Sequence, residues 1–490
     1  MSDYETVIGL EVHVQLLTQT KIFCGCPTTF GAPPNSHVCP VCLGLPGALP
    51  VLNRRVLELG LRTALALQCR ISPRIKFDRK NYFYPDLPKN YQISQYDLPL
   101  SHDGWLQVRL PSGEKRIGIT RAHLEEDAGK LLHEGVTDGS LVDFNRAGVP
   151  LLEIVSDPDM ASPEEAYLYL GELKAILQYL EVSDCNMEEA SLRCDVNLSV
   201  RQTGARELGT KVEIKNLNSF KAVRVALEYE ARRQQQALEH GERIVQETRL
   251  WDADREITVT MRSKEGASDY RYFPEPDLVP FEIASAEIAG VREALPELPR
   301  ARVDRFMAQY RLSAYDAQVL TSDKTVANFF EATTAAGVAP KPAANWIMGD
   351  ALSFLNARQL KPQHVLLESP ADPPQALHLA PRQLADLIAL VDSGTLSRPA
   401  AKEIFVAMIQ AGKPPAEIVA ARGLQQVSDT SALAAVIDQV MIGNAGSVDD
   451  FRRGKTNALM FLVGQCMKAT KGQANPQRVA DLLRRRLTNP

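Results

Sequence analysis

The sequence predicts an α+β protein in which an antiparallel sheet is followed by a long helical region. Three observations lead to this prediction. Ionisable side chains recur at every second position in four short stretches, and a period of two is that of a β-strand. Helix signals lie between these stretches without a regular βαβ alternation. From Arg300 onward the apolar pattern becomes almost wholly helical.

The four stretches alternate charged with apolar residues, at 11–15, 121–127, 193–197 and 211–215. As a strand, each would present one apolar face to a core and one face of carboxylates, imidazoles and cations. A solvated outer face of an antiparallel sheet is enough to explain any single stretch. Four stretches in the first half of the chain, mixing acids with bases, favour a shared sheet face that holds a metal ion and a polyphosphate.

Helix starts in the first part of the chain carry recognisable caps. Asn53 and Ser219 are each suited to accept a hydrogen bond from the first turn of a helix. The Ser-Pro-Glu-Glu segment that begins at Ser162 has the sequence of a capping box with proline at the first helical position. Helices placed irregularly among strands indicate an α+β domain.

Length and composition limit the class of protein. A chain of 490 residues is too long for one core, and we expect domains at 1–292, 293–412 and 413–490. The net charge of −5 gives no general attraction to nucleic acid, so RNA binding would depend on the basic last domain. The start does not resemble a signal peptide, and no apolar run approaches the roughly 20 residues of a membrane span. We therefore expect a cytoplasmic protein.

Two close pairs of cysteines form the strongest local motif. Cys24 and Cys26 precede a loop rich in glycine and proline, and Cys39 and Cys42 follow it. Four thiolates with this spacing suit a tetrahedral Zn²⁺ ion, and a site filled by four cysteines is structural rather than catalytic. The alternative is four reduced, buried cysteines. His37, within the loop, is a spare candidate ligand.

Carboxylates on the predicted strands suggest a second metal site. Glu11 and His13 lie two residues apart and so share a strand face. Glu125 and Asp127 do likewise, and Glu153 interrupts an apolar run where a charge is out of place. Oxygen ligands that leave room for water suit Mg²⁺, whereas an imidazole would bind through water or favour Mn²⁺. The alternative is surface charge held in ion pairs.

Five cations near these stretches are candidate contacts for the phosphates of a nucleotide: Lys80, Lys89, Arg193, Lys211 and Lys215. Taken singly, each is explained as a solvated surface charge, and only proximity to the carboxylates would make it functional. The sequence contains no P-loop and no nucleophile elbow. Chemistry at this site would therefore not use an obvious covalent nucleophile of the protein.

Seven ordered segments carry a family resemblance, at 8–16, 40–47, 82–89, 123–130, 213–219, 270–278 and 461–465. They span nearly the whole chain, and together they resemble the B-subunit of the bacterial glutamyl-/aspartyl-tRNA amidotransferase. The segments at 82–89 and 270–278 are aromatic, proline-stiffened loops of similar composition, which suggests that they share a rim.

This resemblance implies a cradle-shaped catalytic domain, a helical domain and a small tail domain that binds tRNA. It implies ATP-dependent phosphorylation of the side-chain carboxylate of Glu-tRNA(Gln) or Asp-tRNA(Asn). Ammonia then displaces phosphate and gives Gln-tRNA(Gln) or Asn-tRNA(Asn). A partner amidase subunit would make the ammonia from glutamine, and a small third subunit would complete a heterotrimer.

The resemblance also implies roles for residues. The Mg²⁺ cluster, bound directly or through water, would consist of Glu11, His13, Glu125 and Glu153. Lys215 and Lys211 would contact phosphate, and the aromatic loops would flank the acceptor end of the tRNA, where Tyr82, Phe83 or Tyr272 would stack on a base.

Two other classes of protein stay open at this point. An RNA-binding scaffold, whose chemistry belongs to a partner, would show no ATP hydrolysis that depends on Glu125. A stand-alone carboxylate–ammonia ligase acting on a small molecule would be active without tRNA and would leave the basic tail idle.

Overall fold

The computed structural model describes residues 3–132, 139–263, 270–367, 377–422, 430–470, 474 and 476–488. The chain divides into two compact units, Met1–Leu298 and Pro299–Pro490. The first unit contains a large, mainly antiparallel sheet, and the second is helical. The predicted fold class is therefore confirmed, while the boundaries of the three expected domains stay predictions.

In the first unit, the described residues form sixteen strands and four helices. The strands are β1 (Tyr4–Gln15), β2 (Arg70–Ile71), β3 (Arg74–Ile75), β4 (Asp78–Asn81), β5 (Tyr91–Ser94), β6 (Ser101–Leu110), β7 (Gly113–Glu126), β8 (Lys130–Leu132), β9 (Leu141–Asp143), β10 (Pro150–Ser156), β11 (Leu192–Gln202), β12 (Val212–Lys215), β13 (Glu247–Asp252), β14 (Ile257–Ser263), β15 (Phe273–Pro274) and β16 (Phe281–Glu282). The helices are α1 (Arg54–Ala66), α2 (Pro163–Tyr179), α3 (Phe220–Glu239) and α4 (Ser285–Glu293).

The main sheet has the strand order β14-β13-β12-β11-β1-β10-β7-β6-β2. Among its described strands, neighbours are antiparallel except for the parallel pair β12 and β13. Strand β1 lies in the middle, with β11 along one edge and β10 along the other. The alternating stretches of the sequence therefore become neighbouring strands.

The alternation along β1 separates a core face from an open face. Ile8, Leu10, Val12 and Val14 are buried in a hydrophobic cluster that also contains apolar residues of α1, α2 and α3. These helices cover one face of the sheet, so the intervening polar residues of β1 lie on the other. A strand buried on one face only is expected to show this pattern.

Helices α1, α2 and α3 begin at the predicted caps. The side chains of Asn53, Ser162 and Ser219 accept hydrogen bonds of 2.9, 3.2 and 3.1 Å from backbone N–H groups in the first turn. Each bond satisfies a donor that helix geometry leaves without a partner. The local sequence thus determines where these helices start.

The described helices of the second unit are α5 (Pro299–Tyr310), α6 (Ala314–Thr321), α7 (Lys324–Ala335), α8 (Pro340–Trp346), α9 (Leu352–Ala357), α10 (Pro381–Asp392), α11 (Arg398–Ala411), α12 (Pro415–Arg422), α13 (Thr430–Gly443), α14 (Ala445–Arg452), α15 (Asn457–Ala469) and α16 (Pro476–Thr488). Apolar residues of α5 to α12 form one hydrophobic cluster, and those of α13 to α16 form another. Ile418 and Val419 of α12 belong to the first of these clusters. None of the helices in the described segments combines the length and the apolar character that crossing a membrane requires.

Candidate active site and cysteine cluster

The open face of the sheet carries two rows of side chains that lie across strands β11, β1, β10 and β7. Residues directly opposite each other in an antiparallel ladder point to the same face. The first row consists of Arg193, His13, Glu153 and His123. The second row consists of Asp195, Glu11, Val155 and Arg121. The pairing thus brings distant parts of the sequence onto one surface.

His13, Glu125 and Glu153 converge on this face, and one ligand atom from each lies within 4.8 Å of the others. His13 Nε2 is 3.4 Å from Glu125 Oε1 and 3.4 Å from Glu153 Oε2. Both carboxylates are buried, since Glu125 is 2% exposed and Glu153 is 8% exposed. Buried carboxylates are costly without a compensating charge, so the cluster is suited to a cation.

His123 belongs to the same cluster, although it was not among the ligands expected from the sequence. Its Nε2 lies 3.2 Å from Glu153 Oε2 and 3.9 Å from Glu125 Oε2. Its Nδ1 is buried and has no hydrogen-bond partner in the described parts of the chain. The signal was available, because His123 lies two residues before Glu125 in the same alternating stretch.

The carboxylates change the protonation of His13. Burial acts to lower the pKa of this imidazole, but the hydrogen bond to Glu153 and the charges of Glu153 and Glu125 outweigh burial and raise the pKa to about 9. Burial acts in the opposite direction on Glu153, yet His123 and His13 hold the pKa of its carboxyl well below the usual range. The carboxylates around His13 therefore favour a positive charge at the centre of the cluster.

The donor set fits a hard divalent cation. Six ligands at about 2.1 Å from Mg²⁺ would be about 3 to 4.2 Å apart, which lies within the 4.8 Å that contains the three donor atoms. Carboxylate oxygens are preferred by Mg²⁺ and Mn²⁺, and imidazole is tolerated better by Mn²⁺. The cluster therefore suits either ion.

Glu11 lies on the same face but outside this group of ligand atoms. It occupies the row next to that of His13, and its Oε1 accepts a hydrogen bond of 2.8 Å from Asn197 Nδ2. The metal role expected for Glu11, directly or through water, stays a prediction.

Three of the five expected phosphate contacts are already paired with carboxylates. The pairs are Arg193 with Asp127 (Nη2–Oδ1 3.0 Å), Lys89 with Glu126 (Nζ–Oε1 2.5 Å) and Lys215 with Asp195. Lys211 is exposed on the segment that precedes β12. The paired cations have less charge to offer a phosphate group than their sequence positions suggested.

Lys80 lies beside the aromatic loops and within the field of the acid cluster. Its Nζ is 4.8 Å from the ring centre of Tyr270 and 5.8 Å from that of Tyr82. Burial acts to lower the pKa of Lys80, but nearby groups, led by Glu125, raise it well above its usual range. Lys80 is therefore a cation at neutral pH, within the electrostatic field of Glu125 and Glu153.

The two aromatic loops lie side by side, as their similar composition suggested. Strand β15 pairs with β4, and Asn81 N donates a hydrogen bond of 2.9 Å to Tyr270 O. The rings of Tyr96 and Tyr272 are stacked with their centres 4.4 Å apart. Phe83 is 74% exposed, so an aromatic surface next to Lys80 remains open to a ligand.

Cys24, Cys26, Cys39 and Cys42 converge, with their Sγ atoms within 4.8 Å of one another. A tetrahedral zinc site with Zn–S near 2.3 Å needs sulfur atoms about 3.8 Å apart, so the cluster fits this ion. The hydrogen bond with Cys24 lowers the pKa of the Cys42 thiol despite burial.

Lys21 is fully buried beside the cysteine cluster. Its Nζ lies 3.7 Å from Cys42 Sγ and donates a hydrogen bond of 2.7 Å to the backbone oxygen of His37. The ammonium group thus brings positive charge next to the thiolates. His37 forms this hydrogen bond through its backbone, and its imidazole is not part of the group of four ligand atoms.

A mainly antiparallel sheet with a buried acid–imidazole cluster on its open face, followed by a helical region, defines the α+β class of protein, with a candidate active site on the sheet. The GatB/GatE catalytic domain matches residues 6–289, and the GatB domain matches residues 328–487. The chain belongs to the GatB family.

Full-length relatives support this assignment. The B-subunit of the aspartyl/glutamyl-tRNA(Asn/Gln) amidotransferase of Carboxydothermus hydrogenoformans is 55% identical over 490 residues. The aligned region is 99% of this chain and 99% of the relative. The protein of the same name from Moorella thermoacetica is 56% identical over 487 residues, which are 99% of this chain and 100% of the relative. The family resemblance found in the sequence is thus confirmed.

Proposed function

We propose that this chain is the subunit of a tRNA-dependent amidotransferase that activates the side-chain carboxylate of Glu-tRNA(Gln) or Asp-tRNA(Asn) and completes its amidation. The convergence of His13, Glu125 and Glu153 from three strands carries the proposal. A scaffold that only binds RNA has no need of two buried carboxylates around an imidazole. The family assignment supplies the class of substrate.

The proposed reaction has two steps. A carboxylate oxygen of the substrate attacks the γ-phosphorus of ATP, ADP leaves, and an acyl phosphate forms. Ammonia then attacks the carbonyl carbon, phosphate leaves, and the amide remains on the tRNA. Neither step requires a nucleophile from the protein, because phosphoryl transfer depends mainly on positioning and electrostatic stabilisation.

The sheet face provides that positioning. Glu125, Glu153 and His13 would hold Mg²⁺, and the charge of the ion would lower the repulsion among phosphate and carboxylate oxygens. Glu11 joins them directly or through water. Lys80, held beside the acid cluster, orients a negatively charged group of either substrate.

The remaining cations have supporting roles in this proposal. Arg193, fixed by Asp127, shapes the rim of the site. Lys215 and Lys211 lie at the β12 side of the face and contact phosphate from there. The aromatic loops stack on an unpaired base at the acceptor end of the tRNA.

We further propose that the four cysteines hold a structural Zn²⁺ that stabilises the loop at 24–42. The domains are 1–292 for catalysis, 293–412 as a helical connection and 413–490 for tRNA binding. The partners are an amidase subunit that makes ammonia from glutamine and a small third subunit, in a cytoplasmic heterotrimer.

Reconstitution tests the proposed function directly. The complex of this chain with the two partner subunits is given Glu-tRNA(Gln), ATP and ammonium chloride, and Gln-tRNA(Gln) is measured. Free ammonia bypasses the amidase, so product formation isolates the step assigned to this chain. We expect product with the wild-type chain and a loss of at least 100-fold with Glu125→Gln, because a charged group that stabilises the transition state is removed.

The matched control is Glu5→Gln, which alters a carboxylate on β1 that pairs with Arg201. It should keep wild-type activity. Full activity of Glu125→Gln would instead favour the RNA-binding scaffold, and product formation from free glutamate without tRNA would favour the small-molecule ligase.

A further inference from the structure

Arg121 is a cation of the open face for which the described residues provide no counter-charge. It lies on β7, and its neighbours in the ladders are Val155 on β10 and His102 on β6. In the described segments its side chain forms no ion pair, and its Nε is buried without a hydrogen-bond partner. The side chain is half-buried, so water does not fully compensate for the missing contacts.

A register shift aims Arg121 at the open face. Strand β7 pairs Arg121 with Val155 but Ile119 with Ser156, so Thr120 is an extra residue. The apolar core positions of β7 are odd-numbered before Thr120 and even-numbered after it. Such bulges redirect side chains and are common beside active sites. Without the extra residue, the alternation would turn Arg121 toward the core.

The pairing of the other cations makes this one unusual. Arg193 and Lys215 lie on the same sheet face, and each contacts an aspartate. An unpaired, partly desolvated charge is unfavourable unless a ligand supplies the opposite charge. The guanidinium group offers a planar fork of N–H donors that matches the oxygens of phosphate. A phosphate group of a ligand would therefore supply the counter-charge that Arg121 lacks.

The position of Arg121 fits an extended polyphosphate. It lies two residues from His123 along β7, a distance of about 7 Å. Its row is adjacent to the row that contains His13 and Glu153. A triphosphate with its terminal phosphoryl group at the acid cluster would therefore place an inner phosphate near Arg121.

We propose that Arg121 binds the inner phosphates of ATP and so fixes the direction in which the triphosphate enters the acid cluster. The identity of the nucleotide rests on the proposed function, whereas the phosphate-binding role rests on the geometry above. The phosphodiester backbone of tRNA offers the same chemistry, and the experiment separates the two sources.

The experiment compares wild type, Arg121→Met and Arg121→Lys in the reconstituted complex supplied with ammonium chloride. Arg121→Met should raise the KM for ATP and the inhibition constant of tripolyphosphate at least tenfold. The KM for Glu-tRNA(Gln) should change less than twofold. Arg121→Lys keeps the positive charge but loses the forked N–H donors, so its constants should lie between those of wild type and Arg121→Met.

Arg201→Met is the matched control. Arg201 lies on β11 of the same sheet, and its Nε is 2.6 Å from Glu5 Oε1, so its charge is already paired. Its substitution should change no constant by more than twofold. Circular dichroism and the content of bound metal establish that each variant is folded.

Wild-type constants for both ATP and tripolyphosphate in Arg121→Met would overturn the proposal. A larger change in the KM for Glu-tRNA(Gln) than for ATP would also overturn it and would assign Arg121 to the RNA. If Arg121→Met does not fold, unchanged constants in Arg121→Lys have the same meaning.

Failure of the proposed function can be distinguished from failure of the role proposed for Arg121, because the wild-type complex itself would then make no product. Calorimetric binding of tripolyphosphate to wild type and Arg121→Met still tests the phosphate role in that case. Equal affinity of the two proteins would reject it.

Discussion

Replacing Lys89 with methionine should lower the free energy of unfolding of the first unit by about 3–5 kcal/mol. The side chains of Lys89 and Glu126 are only 9% and 5% exposed, and Nζ lies 2.5 Å from Oε1. At an effective dielectric constant of about 20, two charges at this separation attract by roughly 7 kcal/mol, and desolvation offsets several of these. Ile93 N donates to the same carboxylate at 2.8 Å, which fixes it in place when the lysine is gone.

Urea unfolding followed by tryptophan fluorescence measures this effect. Trp105 and Trp251 lie in the first unit and Trp346 in the second, so a Trp346→Phe background confines the signal to the first unit. The double variant Lys89→Met/Glu126→Gln removes both charges. It should recover at least half of the lost stability, because no uncompensated carboxylate stays buried.

Arg70→Met provides the control for an exposed pair. Arg70 Nη1 is 3.7 Å from Asp103 Oδ2, and the two side chains are 77% and 62% exposed. Solvent screens such a pair, so stability should change by less than about 1 kcal/mol. A change of less than about 1 kcal/mol for Lys89→Met, or a double variant less stable than the single one, would refute a strong buried ion pair.

The other predictions concern metal binding, pH and the tail. Cys39→Ser should lower the zinc bound per chain, measured by atomic absorption, whereas Cys466→Ser, outside the cluster, should leave it unchanged; equal zinc in both would place the ligands elsewhere. Burial acts to raise the pKa of the Asp127 carboxyl, but Arg193 and Arg146 outweigh burial and lower it overall. The ionised carboxylate therefore stabilises the fold fully above the unfolded pKa of about 4. This stabilisation is lost as the pH falls through the lower pKa of the folded state. Asp127→Asn should therefore be less stable than wild type at pH 7, and the difference in urea midpoint should shrink on acidification below about pH 4; a constant difference would contradict this. Truncation after Arg422 keeps α12 with its hydrophobic cluster and removes the cluster of α13 to α16. It should raise the KM for Glu-tRNA(Gln) at least tenfold and the KM for ATP less than twofold. An unchanged KM for Glu-tRNA(Gln) would argue against a tRNA-binding tail.

Local features of this protein could be predicted from its sequence. The caps at Asn53, Ser162 and Ser219 depend on a side chain and the N–H groups of the next turn, so a few residues determine them. The alternation along β1 likewise shows which residues leave the core. The grouping of the four cysteines followed from their spacing, because a short loop joins the two pairs.

The features that were missed depend on long-range register. His13 meets Glu153 because β1 pairs with β10, and His123 reaches the cluster because β7 pairs with β10 in turn. A slip of two residues would keep the same faces but change every partner, and the alternation along either strand does not determine that register. The extra residue at Thr120, which turns Arg121 to the open face, is a further feature of the register. The partners of Lys89 and Lys215 were hidden for the same reason, since ion pairing depends on which strands become neighbours.

The central place of β1 has a consequence for synthesis on the ribosome. Both of its edges are completed by much later parts of the chain, and Glu5 finds its opposite residue only when Arg201 has been made. At about 5–20 residues per second, the edge of the nascent strand that pairs with β11 stays open for on the order of 10–40 s. An unpaired apolar strand is a template for aggregation, and charges along it act against such contacts. The polar side chains of Glu11 and His13 therefore also act against aggregation of the growing polypeptide.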